Sequence, residues 1–193
     1  LLAGTKRHAA HMHYRAGALA DGTLHALECR LTYDTGAYAH LGGEVMELGM
    51  EHAAGPYRIA NARVEGLCVY TNNPVAGAMR AFGVCQVSFA IEQIVELLAE
   101  RLGLDPLAFR RQNALRSGDE NLSSVRLSTS TGIGDCLERV QGHPLWQNRR
   151  EWQAAAPRQK LRGVGVAAVC NAMGYGRKVR DSAIARVELT ESG

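Results

Sequence analysis

Two short runs, residues 8–17 and 24–33, carry the β-compatible bulk of Tyr14, Leu27, Leu31 and Tyr33 and are joined by Ala20-Asp21-Gly22-Thr23. An Asp-Gly step between such runs signals a hairpin. Asp34-Thr35-Gly36-Ala37-Tyr38 then breaks the second strand. From Gly42 to His52 the pattern predicts a short helix that can bury Val45, Met46, Leu48 and Met50, ended by Gly55-Pro56-Tyr57 because proline disfavours helix in the residue before it. Alternating Val64, Gly66, Cys68 and Tyr70 predict a strand over 62–70. The strongest periodicity lies in 86–102, where Val87, Ala90, Ile91, Ile94, Val95, Leu98 and Leu102 form one apolar stripe at three- and four-residue steps. Gly103 suits the position after that helix, and Asp105-Pro106 opens another toward Asn113 with Asp as N-cap and Pro at N1. Further helices are predicted from Gly134-Asp135 through Val140 and over 144–156, then strands over 161–171 and 182–189. This order predicts an α+β domain.

Between the strand at 62–70 and the long helix lies Thr71–Gly83, a segment without a period, and loops of that length in compact domains are usually functional or disordered. Its end, Gly77-Ala78-Met79-Arg80-Ala81-Phe82-Gly83, sets small residues around one Arg and one aromatic just ahead of a helix. Small residues let backbone approach a bulky group, amides at a helix start favour anionic ligands, and an aromatic there can stack on a flat substrate. The alternative is a hydrophobic connector whose Phe82 plugs the core.

Other candidates are weaker. His8-x-x-His11-x-His13 invites a metal reading, yet on a strand His11 and His13 share one face while His8 points to the other. No HExxH pattern or companion carboxylate motif accompanies them, so they read as ordinary surface histidines. Glu44, Glu47 and Glu51 stack on one helix face, which a solvated surface explains without chemistry. Gly163-Val164-Gly165 is only a fragment of a phosphate-loop motif and reads better as a strand start.

Composition narrows the class. With 193 residues and 46% hydrophobic content the chain can bury a real core. A net charge of +3, with no basic run beyond pairs such as Arg149-Arg150, argues against nucleic acid as a partner. No run of apolar residues is long enough to predict a membrane span. Five cysteines at 29, 68, 85, 136 and 170 form no CxxC pair, which predicts reduced thiols in a cytoplasmic protein. The start at Leu1-Leu2-Ala3-Gly4 and the end at Glu191-Ser192-Gly193 read as cuts in a longer chain.

Gly55-Pro56-Tyr57-Arg58-Ile59-Ala60-Asn61, Tyr70-Thr71-Asn72-Asn73-Pro74, and Gly77–Gly83 with Gln86 resemble consecutive motifs of molybdenum hydroxylase large subunits of the xanthine dehydrogenase/aldehyde oxidase type. Asp105-Pro106 with Arg110 and Asn113, and upstream Lys6-Arg7-His8 and Asp34–Tyr38, fit the same pattern. The resemblance covers most of 6–116 and, more loosely, 163–193. It implies an α+β fragment of a molybdenum-cofactor-binding domain, with a first molybdopterin-binding domain over 1–160 and the start of a second over 161–193.

The resemblance also implies chemistry. In this family a molybdenum-pterin cofactor hydroxylates an aldehyde or N-heterocycle (purine-like or related) with oxygen from water. Electrons leave through iron–sulfur clusters to FAD on partner subunits or domains. Arg80, through its backbone amide, would lie beside the molybdenum, with Ala81 also binding the cofactor, and Phe82 and Leu48 would line the substrate pocket. Leu48 falls where purine-oxidising members carry an anchoring Arg, and an aliphatic side chain cannot supply that charge-assisted bond. Two residues depart from the family: Ala81 stands in place of a common Gly and Cys85 in place of Pro. The glycine-rich loop, the Gly-Gln-Gly motifs and the general-base glutamate of the family are not in this sequence. No catalytic residue is therefore assigned, and no activity is expected of residues 1–193 alone. The rival reading is a stand-alone binding or scaffold domain derived from the same family.

Overall fold

Along β1 (Ala9–Ala18) the half-buried Ala10, Met12 and Tyr14 alternate with exposed His11, His13 and Arg15, so one face of the strand turns to a core and the other to water. The computed structural model describes residues 4–171 and 183–188. β2 (Leu24–Gly36) pairs antiparallel with β1, from Ala18↔Leu24 to Ala9↔Asp34, through the predicted Asp21-Gly22 turn. It runs to Gly36, so Asp34-Thr35-Gly36 continues the strand instead of breaking it. The backbone pairing of Gly36 with Tyr70 keeps that end of the strand in the sheet.

Helix α1 (Gly42–Glu51) crosses over to β3 (Asn61–Tyr70), which lies parallel to β2 and completes the order β1-β2-β3. Among the described residues this gives a mixed sheet, with α1 and the long helix α2 (Val84–Leu102) packed on its apolar side. The opposite face carries alternating charges: Arg15–Glu28 at 2.5 Å, Glu28–Arg30 at 3.0 Å, Arg30–Glu65 at 3.4 Å. Such exposed pairs contribute little stability, so the sheet is held by its other face.

Two apolar clusters fill that face. The larger joins Leu27, Tyr57, Ile91, Val95, Leu107, Phe109 and Trp146. The smaller joins Cys29, Leu31, Tyr33, Val45, Ala53 and Val87, and Phe82 packs against it. Within α2, Ile91 and Val95 are fully buried and Leu98 is half-buried against the larger cluster, as the stripe predicts. Gly103 closes α2 at φ 67°, the left-handed conformation in which a side chain would be strained.

Helix α3 (Pro106–Asn113) begins at Asp105, whose carboxylate accepts from the Leu107 and Ala108 amides at 3.0 Å. Two of its polar residues are buried. Arg110 donates to Glu92 at 2.9 Å, to Glu96 at 2.9 Å and to the Pro106 carbonyl at 3.0 Å, while the Tyr57 hydroxyl donates to Glu92. Asn113 accepts from the Leu24 amide at 2.8 Å and donates to the Gly22 and Phe109 carbonyls at 2.9 Å. One helix thereby braces both α2 and the hairpin turn.

Beyond α3 the observed elements depart from the pattern. Helix α4 is longer than expected (Ile133–Gly142), and the single helix expected over 144–156 is two, α5 (Pro144–Gln147) and α6 (Arg149–Ala154). The break at Asn148 lets the Arg149 guanidinium donate to the Trp146 carbonyl at 2.7 Å, lie 4.1 Å over the indole and reach Asp105 at 2.6 Å. No strand forms at 161–171 or 183–188, and residues 182 and 189 lie outside the described residues. Burial still alternates along the first segment, with Val164, Val166 and Ala168 packed on the larger cluster. The apolar period holds there, but among the described residues no neighbouring strand supplies a ladder. Among the described residues no helix is long and apolar enough to cross a membrane.

Removing one partner of a buried ion pair strands the other charge. Arg110→Leu should therefore lower unfolding free energy by about 3–5 kcal/mol in chemical denaturation, and adding Glu92→Leu should recover at least half of that. A single variant within about 1 kcal/mol of wild type would show that the pair does not brace the helices.

Candidate functional site

The small-residue segment ends in a compressed double turn. The Phe82 amide donates to the Met79 carbonyl at 2.7 Å, and the Val84 amide to the Ala81 carbonyl at 2.8 Å. Ala81, Phe82 and Gly83 have φ of 74°, 43° and 98°, three successive left-handed residues. Arg80 is not among the positive-φ residues, so Met79–Phe82 is a type II turn with Ala81 at the position that favours glycine. Ala81–Val84 has positive φ at both central residues, the type I′ pattern. Only glycine fits at 83, because a Cβ there would strike the Val45 carbonyl. Non-glycine residues in this region cost roughly 1–3 kcal/mol each and cluster where function requires them.

Packing holds the strain in place. The Tyr33 hydroxyl donates to the Gly83 carbonyl at 3.0 Å, and burial pushes its pKa up, keeping it a donor. The Phe82 ring is half-buried on the smaller core cluster, so the connector reading of this residue holds at least in part. Val45 and Gly49 of α1 meet the loop at Gly83, which brings the helix bearing the buried Leu48 beside it.

The segment Lys6-Arg7-His8 straps the loop from the other side. The Lys6 amide donates to the Val75 carbonyl at 3.1 Å and the Gly77 amide to the Lys6 carbonyl at 3.0 Å. The Arg7 guanidinium donates to the Arg80 carbonyl at 2.9 Å, and the Gln86 side-chain amide to the His8 carbonyl at 3.1 Å. His8 itself is buried, against the expectation of a surface histidine, and lies beside the Tyr33 ring. Burial lowers its pKa while the nearby Asp34 carboxylate opposes that. Asp34 in turn is held below the usual carboxylate range by hydrogen bonds from Thr71, Asn73 and the Gly36 amide. His11 and His13 are exposed on the outer face, so the sheet separates the three imidazoles. Glu44, Glu47 and Glu51 are exposed along α1, as a solvated face requires. Gly163 and Gly165 are exposed in the segment after α6, apart from any helix start.

What the loop presents is backbone. Ala78, Met79 and Arg80 are exposed, and among the described residues the Arg80 and Ala81 amides donate to no protein acceptor. Both His8 ring nitrogens and the Gln86 side-chain oxygen beneath are buried without partners. Unused amides on a small-residue loop are the donor set an oxygen-rich metal–pterin group would use. A cavity of about 470 Å³ opens elsewhere, bounded by His52, Pro56, Leu115, Leu122, Cys136 and Cys170, and no residue of Gly77–Gly83 lines it. Volume alone does not make that cavity the site, because the unspent donors are at the loop.

Residues 1–114 match the family model of the molybdopterin cofactor-binding domain. The chain belongs to this family. It is 36% identical over 190 residues, 98% of its length, to a probable xanthine dehydrogenase subunit of Bacillus subtilis. It is 41% identical over 71% of its length to the nicotinate dehydrogenase large molybdopterin subunit of Eubacterium barkeri. Among solved structures, the aldehyde oxidoreductase of Desulfovibrio gigas superposes with a TM-score of 0.67 at 34% identity, over 78% of this chain and 16% of that one. The chain spans 25% and 32% of the two sequence relatives' own lengths.

Arg7 is the residue that reading the motifs leaves without a role. Lys6-Arg7-His8 stands out as a motif, but its reach across 73 residues to Arg80 has no sequence signature. Relief of the left-handed strain at Ala81 gives a direct check. Ala81→Gly removes about 1–2 kcal/mol of steric cost and adds about 0.5–1 kcal/mol of unfolded-chain entropy. The variant should be more stable by about 0.5–1 kcal/mol in thermal or chemical unfolding, and a destabilised variant would mean that the turn is not strained at 81.

Proposed function

We propose that this chain is part of the large subunit of a molybdenum hydroxylase that oxidises an aldehyde or a weakly polar N-heterocycle with water-derived oxygen. The observation that carries the reading is the Arg80–Ala81 pair of unspent amides on a strained loop in a chain of the molybdopterin-binding family. The molybdenum-pterin cofactor, when bound, supplies the two-electron oxidation chemistry. Arg80 and Ala81 would hold it through their backbone amides, with Arg80 beside the metal. Phe82 and Leu48 would form walls of the substrate pocket. Placing the donors on a loop fixed by Tyr33, Gly83 and the 6–8 strap makes their orientation independent of the substrate.

Names of relatives divide among xanthine, nicotinate and aldehyde, so they do not choose a substrate. Leu48 does. It is buried on α1 beside the loop, it carries no charge, and its neighbours Glu47 and Gly49 are not basic. An aliphatic side chain at 48 offers a purine oxygen no charge-assisted bond.

The same reading places iron–sulfur and FAD groups on partner subunits or domains as electron acceptors. It divides the chain near residue 160 into a first molybdopterin-binding domain and the beginning of a second, supported by the segment after α6, whose described residues form no helix or strand. It sets the protein in the cytoplasm, supported by cysteines that are all free.

The test is performed on the protein purified with its cofactor. Molybdenum and pterin should co-purify, and kcat/KM for benzaldehyde or nicotinate should exceed that for xanthine by about ten- to a hundredfold, the worth of one charged hydrogen bond. Absence of molybdenum would overturn the enzyme reading. Xanthine emerging as the best substrate would overturn the role of Leu48.

A further inference from the structure

A trans peptide is planar, with its carbonyl and its N–H pointing to opposite sides. No cis bond occurs among the described residues, so whatever grips the Arg80 carbonyl also sets where the Ala81 N–H points. Arg7 grips it, at 2.9 Å, from the segment leading into β1. Type I and type II turns share their end residues and differ by a half-rotation of this central peptide. At the third turn position type I has φ near −90° and accepts most residues, whereas type II needs positive φ and hence favours glycine. Ala81 sits at 74°, in the arrangement its own side chain disfavours. Left to local preference, the Met79–Phe82 turn would rotate its central peptide, exchange the directions of the Arg80 carbonyl and the Ala81 N–H, and relieve Ala81.

Three sets of contacts fix the surroundings of that peptide. The Phe82–Met79 and Val84–Ala81 hydrogen bonds fix the ends of the double turn but are compatible with either central peptide. The Lys6–Val75 and Gly77–Lys6 pairing fixes the strap against the start of the loop, with Lys6 bridged to Ala76. Gln86, one turn into α2, fixes the His8 carbonyl. The strap is therefore anchored on both sides of Arg7, and its guanidinium reaches the carbonyl that distinguishes the two turn types.

We propose that Arg7 is a positioning residue: by holding the Arg80 carbonyl it keeps the Arg80–Ala81 peptide in the type II orientation, presenting the Ala81 N–H on the face opposite the strap and offsetting an alanine where the backbone favours glycine. The inference rests on the reading of Arg80 and Ala81 as cofactor-binding amides. It assigns Arg7 no contact with substrate or cofactor. It also accounts for a feature the resemblance leaves open: how this chain carries Ala81 at a position commonly glycine in the family.

A double-mutant cycle on the cofactor-loaded full-length protein separates this role from a merely structural one. Arg7→Ala should lower kcat for an aldehyde about tenfold with KM changed less than threefold. It should also raise hydrogen exchange in the peptide spanning 77–83 while α2 keeps its protection. In the Ala81→Gly background, where the turn favours type II by itself, the same Arg7→Ala change should cost less than twofold and leave loop exchange unaltered. Millimolar guanidinium should partly restore kcat to Arg7→Ala and do nothing for the double variant. Equal losses from Arg7→Ala in both backgrounds, or unchanged loop exchange in the single variant, would overturn the assignment while leaving the cofactor reading intact. A wild-type protein that carries no molybdenum would remove the reading itself, an outcome visible before any variant is made.

Discussion

The buried guanidinium of Arg110 is the interaction on which the rest of this architecture depends. It sits almost without solvent between α2 and α3, with Glu92, Glu96 and the Pro106 carbonyl on its donors and Tyr57 completing the Glu92 carboxylate. An ion pair so placed adds little net energy over an apolar replacement of the same shape, yet it tolerates only one arrangement of partners. That arrangement sets the axial position of α2, and α2 begins at Val84, immediately after the strained loop. Asn113, one turn beyond Arg110 on the same helix, ties the hairpin turn at Gly22 and Leu24 to this frame. A brace in one part of the molecule thus fixes the helix start and the sheet between which the loop is stretched.

With its ends fixed, the loop has little choice. Gly83 is pressed against the Val45 carbonyl and gripped by Tyr33, so the chain turns left-handed there and at Phe82, while Ala81 keeps its positive φ beside the Arg80 carbonyl that Arg7 holds. The cost at two non-glycine residues is met by packing of Phe82 on the smaller core cluster and by the Arg7 contact. The outcome is a pair of backbone donors, the Arg80 and Ala81 amides, held in one orientation. Such fixed dipoles need no reorganisation when charge develops nearby, which is why enzymes build sites from them.

Much of this was legible in the sequence, for identifiable reasons. Hairpin, α1, β3, α2 and α3 follow from residue-level signals with a local cause: Asp21-Gly22, alternation at Val64–Cys68, the Ile91–Val95–Leu98 stripe, and Asp105-Pro106 as cap and first turn. The loop was legible as a loop, and the motifs around it as a family resemblance. Illegible features depended on distant partners. Among the described residues the segment 161–171 has a strand's alternation but no neighbour to pair with, and the helix over 144–156 is interrupted at Asn148, beside which Arg149 meets Trp146 and the distant Asp105. His8 reads as one of three surface imidazoles, and only folding puts it under the loop beside Tyr33. The left-handed run at Ala81–Gly83 could be suspected at Gly83 alone, since neither Ala nor Phe advertises positive φ.

The most direct test of the central claim is an experimental structure of the protein with its molybdenum-pterin cofactor bound, at a resolution that shows peptide orientation. The expected map has the Arg80 carbonyl on Arg7, φ positive at Ala81, and at least one of the Arg80 and Ala81 amides within about 2.7–3.2 Å of a cofactor atom. A map in which the cofactor sits away from this loop, or in which the Arg80–Ala81 peptide is rotated with its N–H toward Arg7, would contradict it.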